Sequence, residues 1–255
     1  MQKFYKYQGT GNDFIMVDDR QQKFETDAEI IKKLCDRRFG IGADGLILLQ
    51  EGNGVFQMIY FNADGNQSSM CGNGGRCFIR FLADLKLIEN NVVFQAIDGL
   101  HSGEIMEPYV KLHMQDVDEM IIEKDFTFLN TGSPHHVIFK DTLHNFDVKK
   151  EGAKIRYSEN YPEGVNVNFV RQLSPNRIFV RTYERGVEDE TLSCGTGVTA
   201  AAISFLALEK TQMTDINVKT LGGNLNVQFT KKGNNFGDIN LIGPAEFVFK
   251  GKIKI

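Results

Sequence analysis

The 255-residue chain has no surplus of positive charge: 29 Lys and Arg stand against 33 Asp and Glu, a formal net charge of −4. No Lys/Arg-rich run interrupts that balance, so nothing offers a basic field to a phosphate backbone and nucleic acid is not expected as a partner. Long apolar runs are also missing. The uncharged 14 residues from Gly195 to Leu208, read as a helix, are too short for a bilayer, and the opening MQKFYKYQGTGNDF has no apolar core of signal-peptide type. A cytoplasmic protein without membrane partners is expected. The four cysteines, Cys35, Cys71, Cys77 and Cys194, include no CxxC pair. Neither a disulfide framework nor a structural zinc site is therefore expected, and no metal.

Nucleotide signatures are incomplete. GIGADG at 40–45 fits the dinucleotide pattern GxGxxG, but a helix is expected before it and the strand LILLQ after it, the reverse of the order that pattern needs. CGNGGR and CGTGV lack the Gly-Lys-Ser/Thr ending of a phosphate loop, and no such loop paired with a Schiff-base lysine can be picked out. No cofactor is expected.

What the sequence does contain is one unusual arrangement, present twice. In SSMCGNGGRCFIRFLADLKL (68–87) and LSCGTGVTAAAISFLALEK (192–210) a cysteine stands directly before a glycine-rich turn that opens a helix. At a helix start the unpaired N–H groups and the macrodipole favour an anion, whether a thiolate or a carboxylate. Cys35 and Cys77 lie within helices and read as core filler. The repetition extends further. YQGTGNDFIMVDD and LNTGSPHHVIFKD each set Thr-Gly before an apolar strand; Cys71 follows Thr10 by 61 residues and Cys194 follows Thr131 by 63. YFNADG and TYERG precede the two cysteines by about the same distance. Two copies of one supersecondary unit explain the preserved order.

The remaining pattern is strand-rich. LILLQ, FQMIYFN, VVFQAI, YVKLHM, NVNFV, RIFVRTY, INVKT and NLNVQF are short, apolar or alternating, and bounded by turn residues. Asp27 is expected to cap a helix running to about Arg38. Phe78, Phe81, Leu82 and Leu85 form one stripe on the first cysteine-led helix, whereas Val198–Leu208 is apolar nearly all round, as for a helix enclosed by sheet. The expected fold is α+β, with a boundary in MQDVDEMIIEKD near 114–125: domain 1–117, completed by 248–255, and domain 118–247.

Two equivalent thiols suggest a particular chemistry. If the units face each other across a cleft, a substrate carboxylate can rest on both helix starts with one thiol on each face of its α-carbon. One thiolate then removes the α-proton and the other thiol returns one to the opposite face, as in an epimerase or racemase. His135, beside the second Thr-Gly turn, is a candidate for tuning a thiol or touching the ligand.

GTGNDF, GIGADG, FNADG, CGNGGRC, VN at 165–166, YERG and CGTG occur in an order and over a span that resemble the diaminopimelate epimerase family, pyridoxal-independent isomerases. The resemblance implies two pseudo-symmetric domains, each a curled, mostly antiparallel sheet around a central helix, with FVFKGKIKI returning to complete the first. It implies interconversion of LL- and meso-2,6-diaminoheptanedioate, on the route to lysine and peptidoglycan, by Cys71 and Cys194 as acid/base pair. The backbone at Gly72, Asn73, Gly195 and Thr196 would receive the reacting carboxylate. Glu184 and Arg185 would read the distal amino and carboxylate groups, helped by Asn12, Asn62 and Asn166. Ser133 stands where the family usually has Asn, and Gly45 where some members have Gln; His135 aligns with a family histidine that tunes the site. The partner implied is a small amino acid substrate; a homodimer is left open. Two rival readings are a proline-type two-thiol racemase, which typically carries His where this chain has Asn73, and a redox-switchable amino-acid-binding module.

Overall fold

A computed structural model describes residues 1–254; Ile255, the last residue of the expected returning strand, lies outside the described residues. The chain forms two compact units, one made of Met1–Leu112 with the returning segment from Gly243, the other of His113–Ile242.

In the first unit the chain order is β1 (Gln2–Gly9), β2 (Asn12–Asp18), α1 (Ala28–Cys35), β3 (Gly45–Gly52), β4 (Val55–Asn62), α2 (Gly72–Asp84), β5 (Asn91–Ala96), β6 (Gly99–Met106) and β7 (Tyr109–His113). The second unit contains β8 (Met120–Ile122), β9 (Thr127–Asn130), β10 (Pro134–Phe139), α3 (Val148–Arg156), β11 (Asn166–Ser174), β12 (Arg177–Glu184), β13 (Asp189–Thr191), α4 (Gly195–Ala207), β14 (Asp215–Lys219), β15 (Asn224–Lys232) and β16 (Asn235–Pro244). The last strand, β17 (Glu246–Ile253), belongs to the first unit and pairs antiparallel with β1.

The pairing patterns of the units match step for step. In the first, β17–β1 and β1–β2 are antiparallel, β2–β3 parallel, β3–β4 antiparallel, β4–β5 parallel, and β5–β6 and β6–β7 antiparallel. The second runs β8–β9, β9–β10, β10–β11, β11–β12, β12–β14, β14–β15 and β15–β16 in the same sequence of senses. Parallel neighbours need a crossover, and each parallel pair contains one: α1 and α3 join the first of them, α2 and α4 the second. β17 holds in the first unit the slot that β8 holds in the second. The fold is α+β with two pseudo-symmetric units.

The cysteine-led helices are the enclosed ones. α2 packs against β1, β2, β3, β6 and β17; α4 packs against β9, β10, β11, β12, β14 and β15. α4 is buried almost throughout, as its all-round apolar sequence requires. α2 departs from the single stripe expected of it: every residue from Gly72 to Ile79 is buried, including Arg76, and only its C-terminal half keeps one wet face.

Two local differences from the sequence reading have clear causes. Asp27 does cap α1, accepting from Glu29 N and Ile30 N, but the helix stops at Cys35 rather than Arg38. Asp36 instead accepts the N–H groups of Arg38 and Phe39, and the chain folds back so that Ile41 and Gly42 donate to Leu34 O. α3 was not expected, because VKKEGAKIR carries little apolar periodicity and a glycine. That glycine is a packing requirement: a Cβ at Gly152 would lie 2.4 Å from Tyr183 Cβ. No helix of the described residues is long and apolar enough to cross a membrane.

Candidate active site

In the first unit, the residue preceding α2 is Cys71, extended at φ −99° and ψ 132°, and its carbonyl accepts from Gly75 N at 2.7 Å. The glycines behind it allow close packing: a Cβ at Gly74 would approach Ile47 Cδ1 and Met58 Cε to 3.2 Å, and one at Gly75 would approach Leu112 Cδ2 and Met70 Sδ to 3.0 Å. Asn12 opens β2 and turns its side-chain oxygen toward the helix start. Asn12 Oδ1 accepts from Cys71 Sγ at 3.6 Å and from Asn73 Nδ2 at 3.2 Å, while its Nδ2 donates to Asp44 Oδ2 at 2.7 Å. Asp44 is itself paired with Arg37 at 2.7 Å, and Arg37 also grips Asp13. Burial pushes the Asp13 carboxyl up, but Arg37 and Lys6 outweigh it and hold that group down to about 2. Asp44, held in turn by Arg37, orients the Asn12 amide and with it the oxygen that faces Cys71.

Asn73 is nearly fully buried, and Arg76 Nη2 donates to its Oδ1 at 3.0 Å. Thr10, in the first Thr-Gly turn at φ 51°, reaches the same Oδ1 at 3.4 Å. Asn62 ends β4 opposite Gly45. A side chain at Gly45 would meet Phe61 O at 2.5 Å and the Tyr60 ring at 2.6 Å, so glycine is required at this position.

The second unit repeats the plan. Cys194 precedes α4, extended at φ −116° and ψ 113°, its carbonyl accepting from Val198 N at 2.9 Å. Its sulfur lies 3.4 Å from Thr196 Oγ1. Thr131, the counterpart of Thr10, donates to Thr196 O at 2.9 Å. In each unit, then, the Thr-Gly turn tethers the second residue after the cysteine. Cys35 and Cys77 differ from this pair: both are buried within helices, and desolvation pushes each thiol up to about 12.

Around α4 stand residues of β10 and β11, whose parallel register sets His135 against Asn166. Asn166 Nδ2 donates to Ser133 Oγ at 2.8 Å and Pro134 O at 3.2 Å, and its Oδ1 accepts from Arg185 N at 2.9 Å. Asn166 therefore links Ser133 to the turn that carries Glu184 and Arg185. Glu184 O in turn accepts from Glu188 N, and the exposed Arg185 guanidinium donates to Glu163 O. Asn168 was not singled out in the sequence, although the alternation in NVNFV sets it on the same face of the strand as Asn166. Its Nδ2 donates to His135 Nδ1 at 3.0 Å and to His136 O at 3.4 Å, while Thr182 Oγ1 donates to its Oδ1 at 2.9 Å. Because the carbonyl of His136 demands the NH₂ end of Asn168, His135 Nδ1 must accept and the ring proton must sit on Nε2. That Nε2 is buried without a partner among the described residues.

Both histidines are neutral in the folded chain. Burial, with Arg185 adding positive charge, holds His135 down to about 3, and burial holds His136 down to about 4. Unfolded, each takes up a proton near 6.5. Between about pH 6.5 and 4 the unfolded chain therefore binds more protons, and stability falls as acid is added, by up to about 1.4 kcal/mol per pH unit for each histidine. Denaturant midpoints measured from pH 7.5 to 4.5 check this; a flat profile would contradict the neutral burial of these rings. Among the described residues no group of three or more His, Cys, Asp or Glu is placed to hold a metal ion.

The diaminopimelate epimerase family model matches residues 4–110 and 127–248. A diaminopimelate epimerase of Flavobacterium psychrophilum is 57% identical over 98% of this chain and 100% of its own length. That of Chlorobaculum tepidum is 41% identical over 97% of this chain and 99% of its own. Among solved structures, a Bacillus anthracis phenazine biosynthesis protein of the PhzF family superposes with a TM-score of 0.80 at 14% identity, covering 100% of this chain and 99% of that one. A hydroxyproline epimerase of Agrobacterium vitis superposes at 0.70 and 14% identity, covering 98% of this chain and 91% of that one. These two likenesses concern the fold. Sequence match and shared architecture agree, and the chain belongs to the diaminopimelate epimerase family.

Proposed function

We propose that this chain interconverts LL- and meso-2,6-diaminoheptanedioate, with Cys71 and Cys194 as the acid/base pair. The observation that carries the reading is the placement of one cysteine at the start of the enclosed helix in each unit, at the same step of the same pairing pattern. One thiolate accepts the α-proton and the C–H electron pair passes into the carboxylate. The N–H groups of Gly72, Asn73, Gly195 and Thr196 receive that charge at the helix starts. The second thiol then delivers its proton to the other face of the carbon. The centre is inverted, and the two sulfurs have exchanged protonation states. The reaction takes place in the cytoplasm on a small, water-soluble amino acid.

Glu184 and Arg185 suit the distal end of such a substrate: a carboxylate accepts from the ammonium, and a planar guanidinium meets the carboxylate in two parallel hydrogen bonds. Asn166, held by Ser133 and holding Arg185 N, supports that turn. Arg185→Lys keeps the charge but not the fork; KM is expected to rise roughly tenfold with kcat changing less, and unchanged KM would remove Arg185 from the role. Wild-type protein incubated in D₂O with LL-diaminoheptanedioate should incorporate deuterium at the α-carbon and yield the meso form, with proline inert. Exchange into proline instead would favour the proline-type racemase; exchange into neither, with the amino acid bound, would favour the binding module.

A further inference from the structure

Arg76 stands one turn into α2 and is 0% exposed. Its Nη1 donates to Gly72 O at 3.1 Å, its Nη2 to Asn73 Oδ1 at 3.0 Å and its Nε to Pro244 O at 3.4 Å. All three acceptors are neutral, and among the described residues no carboxylate pairs with it. A guanidinium at such depth ordinarily has a counter-ion, since burying an unanswered charge is costly. It also sits at the wrong end of a helix for a cation, where the macrodipole already contributes positive potential. Desolvation lowers its affinity for the proton only to about 10, so the charge persists at neutral pH. The ionisable groups that act electrostatically on it are the thiols of Cys77, within α2, and of Cys71, the residue that precedes the helix, with Glu246 of β17 acting on Cys77. β1 approaches with Gly9, where a Cβ would lie 3.4 Å from Nη2 and 3.4 Å from Cys77 Sγ. Cys77 is itself a thiol held protonated by burial, which leaves Cys71 as the group able to answer the charge.

We propose that Arg76 is a positioning residue whose buried charge is balanced by the thiolate of Cys71 and whose fork locks the Asn73 amide. With Oδ1 of Asn73 tied inward to Arg76, its Nδ2 must face Asn12 Oδ1, the oxygen that also meets Cys71 Sγ. One side chain therefore serves both the charge state and the geometry of the first helix start. The proposal rests on the reading of Cys71 as an acid/base group.

The test is Arg76→Met, which keeps volume and removes charge, beside Arg76→Lys, which keeps charge and loses the fork. Two quantities are followed. The first is the pH midpoint of Cys71 alkylation by iodoacetamide, resolved from Cys194 by mass spectrometry of the peptides. The second is epimerisation of LL-diaminoheptanedioate. For Arg76→Met the midpoint should rise by about one pH unit or more and kcat should fall at least about 100-fold, with KM less affected. The melting temperature should fall, because Gly72 O, Asn73 Oδ1 and Pro244 O lose their donor and the thiolate loses its counter-charge. Arg76→Lys should keep the wild-type midpoint and recover part of kcat. An unchanged midpoint in the methionine variant overturns the proposal, whether activity survives or is lost together with a lowered melting temperature. Should that variant not fold, Arg76→Gln carries the same expected rise. If wild-type protein does not epimerise the substrate while the midpoint still moves, the functional reading fails and the role of Arg76 stands.

Discussion

Cys71→Ala and Cys194→Ala are each expected to reduce epimerisation by at least about 10³-fold while leaving a folded protein. Inversion of a carbon needs a proton removed from one face and another supplied to the other, so either deletion stops the full reaction, and a positioned acid or base is worth about 10²–10⁴ by itself. The fold should survive because neither sulfur makes a side-chain capping hydrogen bond to its helix. Alanine therefore removes no cap, and the backbone bonds from Gly75 N to Cys71 O and from Val198 N to Cys194 O are untouched. Steady-state rates measured in both directions, together with thermal melts, check the pair of expectations. Near wild-type turnover in either variant would end the two-thiol mechanism, and a melting temperature lowered by many degrees would show that the cysteine is structural.

Gly197→Ala is expected to damage both stability and rate. A Cβ there would fall 2.3 Å from Asn168 Oδ1, and Asn168 has nowhere to go: it is fully buried and bonded to His135, His136 and Thr182. Overpacking of a locked interior site costs typically 1–3 kcal/mol. The helix start must also shift, carrying with it the N–H groups of Gly195 and Thr196 proposed to receive the substrate carboxylate, and misplacement by about 1 Å can cost on the order of 100-fold in rate. The double variant Gly197→Ala/Asn168→Ala isolates the clash. Its partial recovery of stability is expected, since the added methyl then has space, and no recovery would show that the strain lies elsewhere.

Much of this protein could be read along the chain. The duplication was visible because Thr10 and Thr131, the two aromatic-ended strands and the two cysteines keep their order and spacing, and a strand–turn–helix start is a local event that Gly, Asn and Cys specify within a few residues. The Asp27 cap was legible for the same reason, as were most strands, whose apolar periods are intrinsic to the segment. The identity of the family lay in those local motifs.

Other features could come only from the folded chain. Nothing near Asn168 in sequence reveals that it sets the proton of His135, because the parallel register of β10 and β11 brings those residues together from 33 positions apart. The glycines at 45, 152 and 197 look like turn residues but are required by neighbours that arrive from other strands and helices. Arg76 is buried only because α2 is enclosed by β1, β2, β3, β6 and β17. The division follows from physics: backbone preference and amphipathic period are properties of a few consecutive residues, whereas burial, amide orientation and close approach depend on which distant segments the strand registers place side by side.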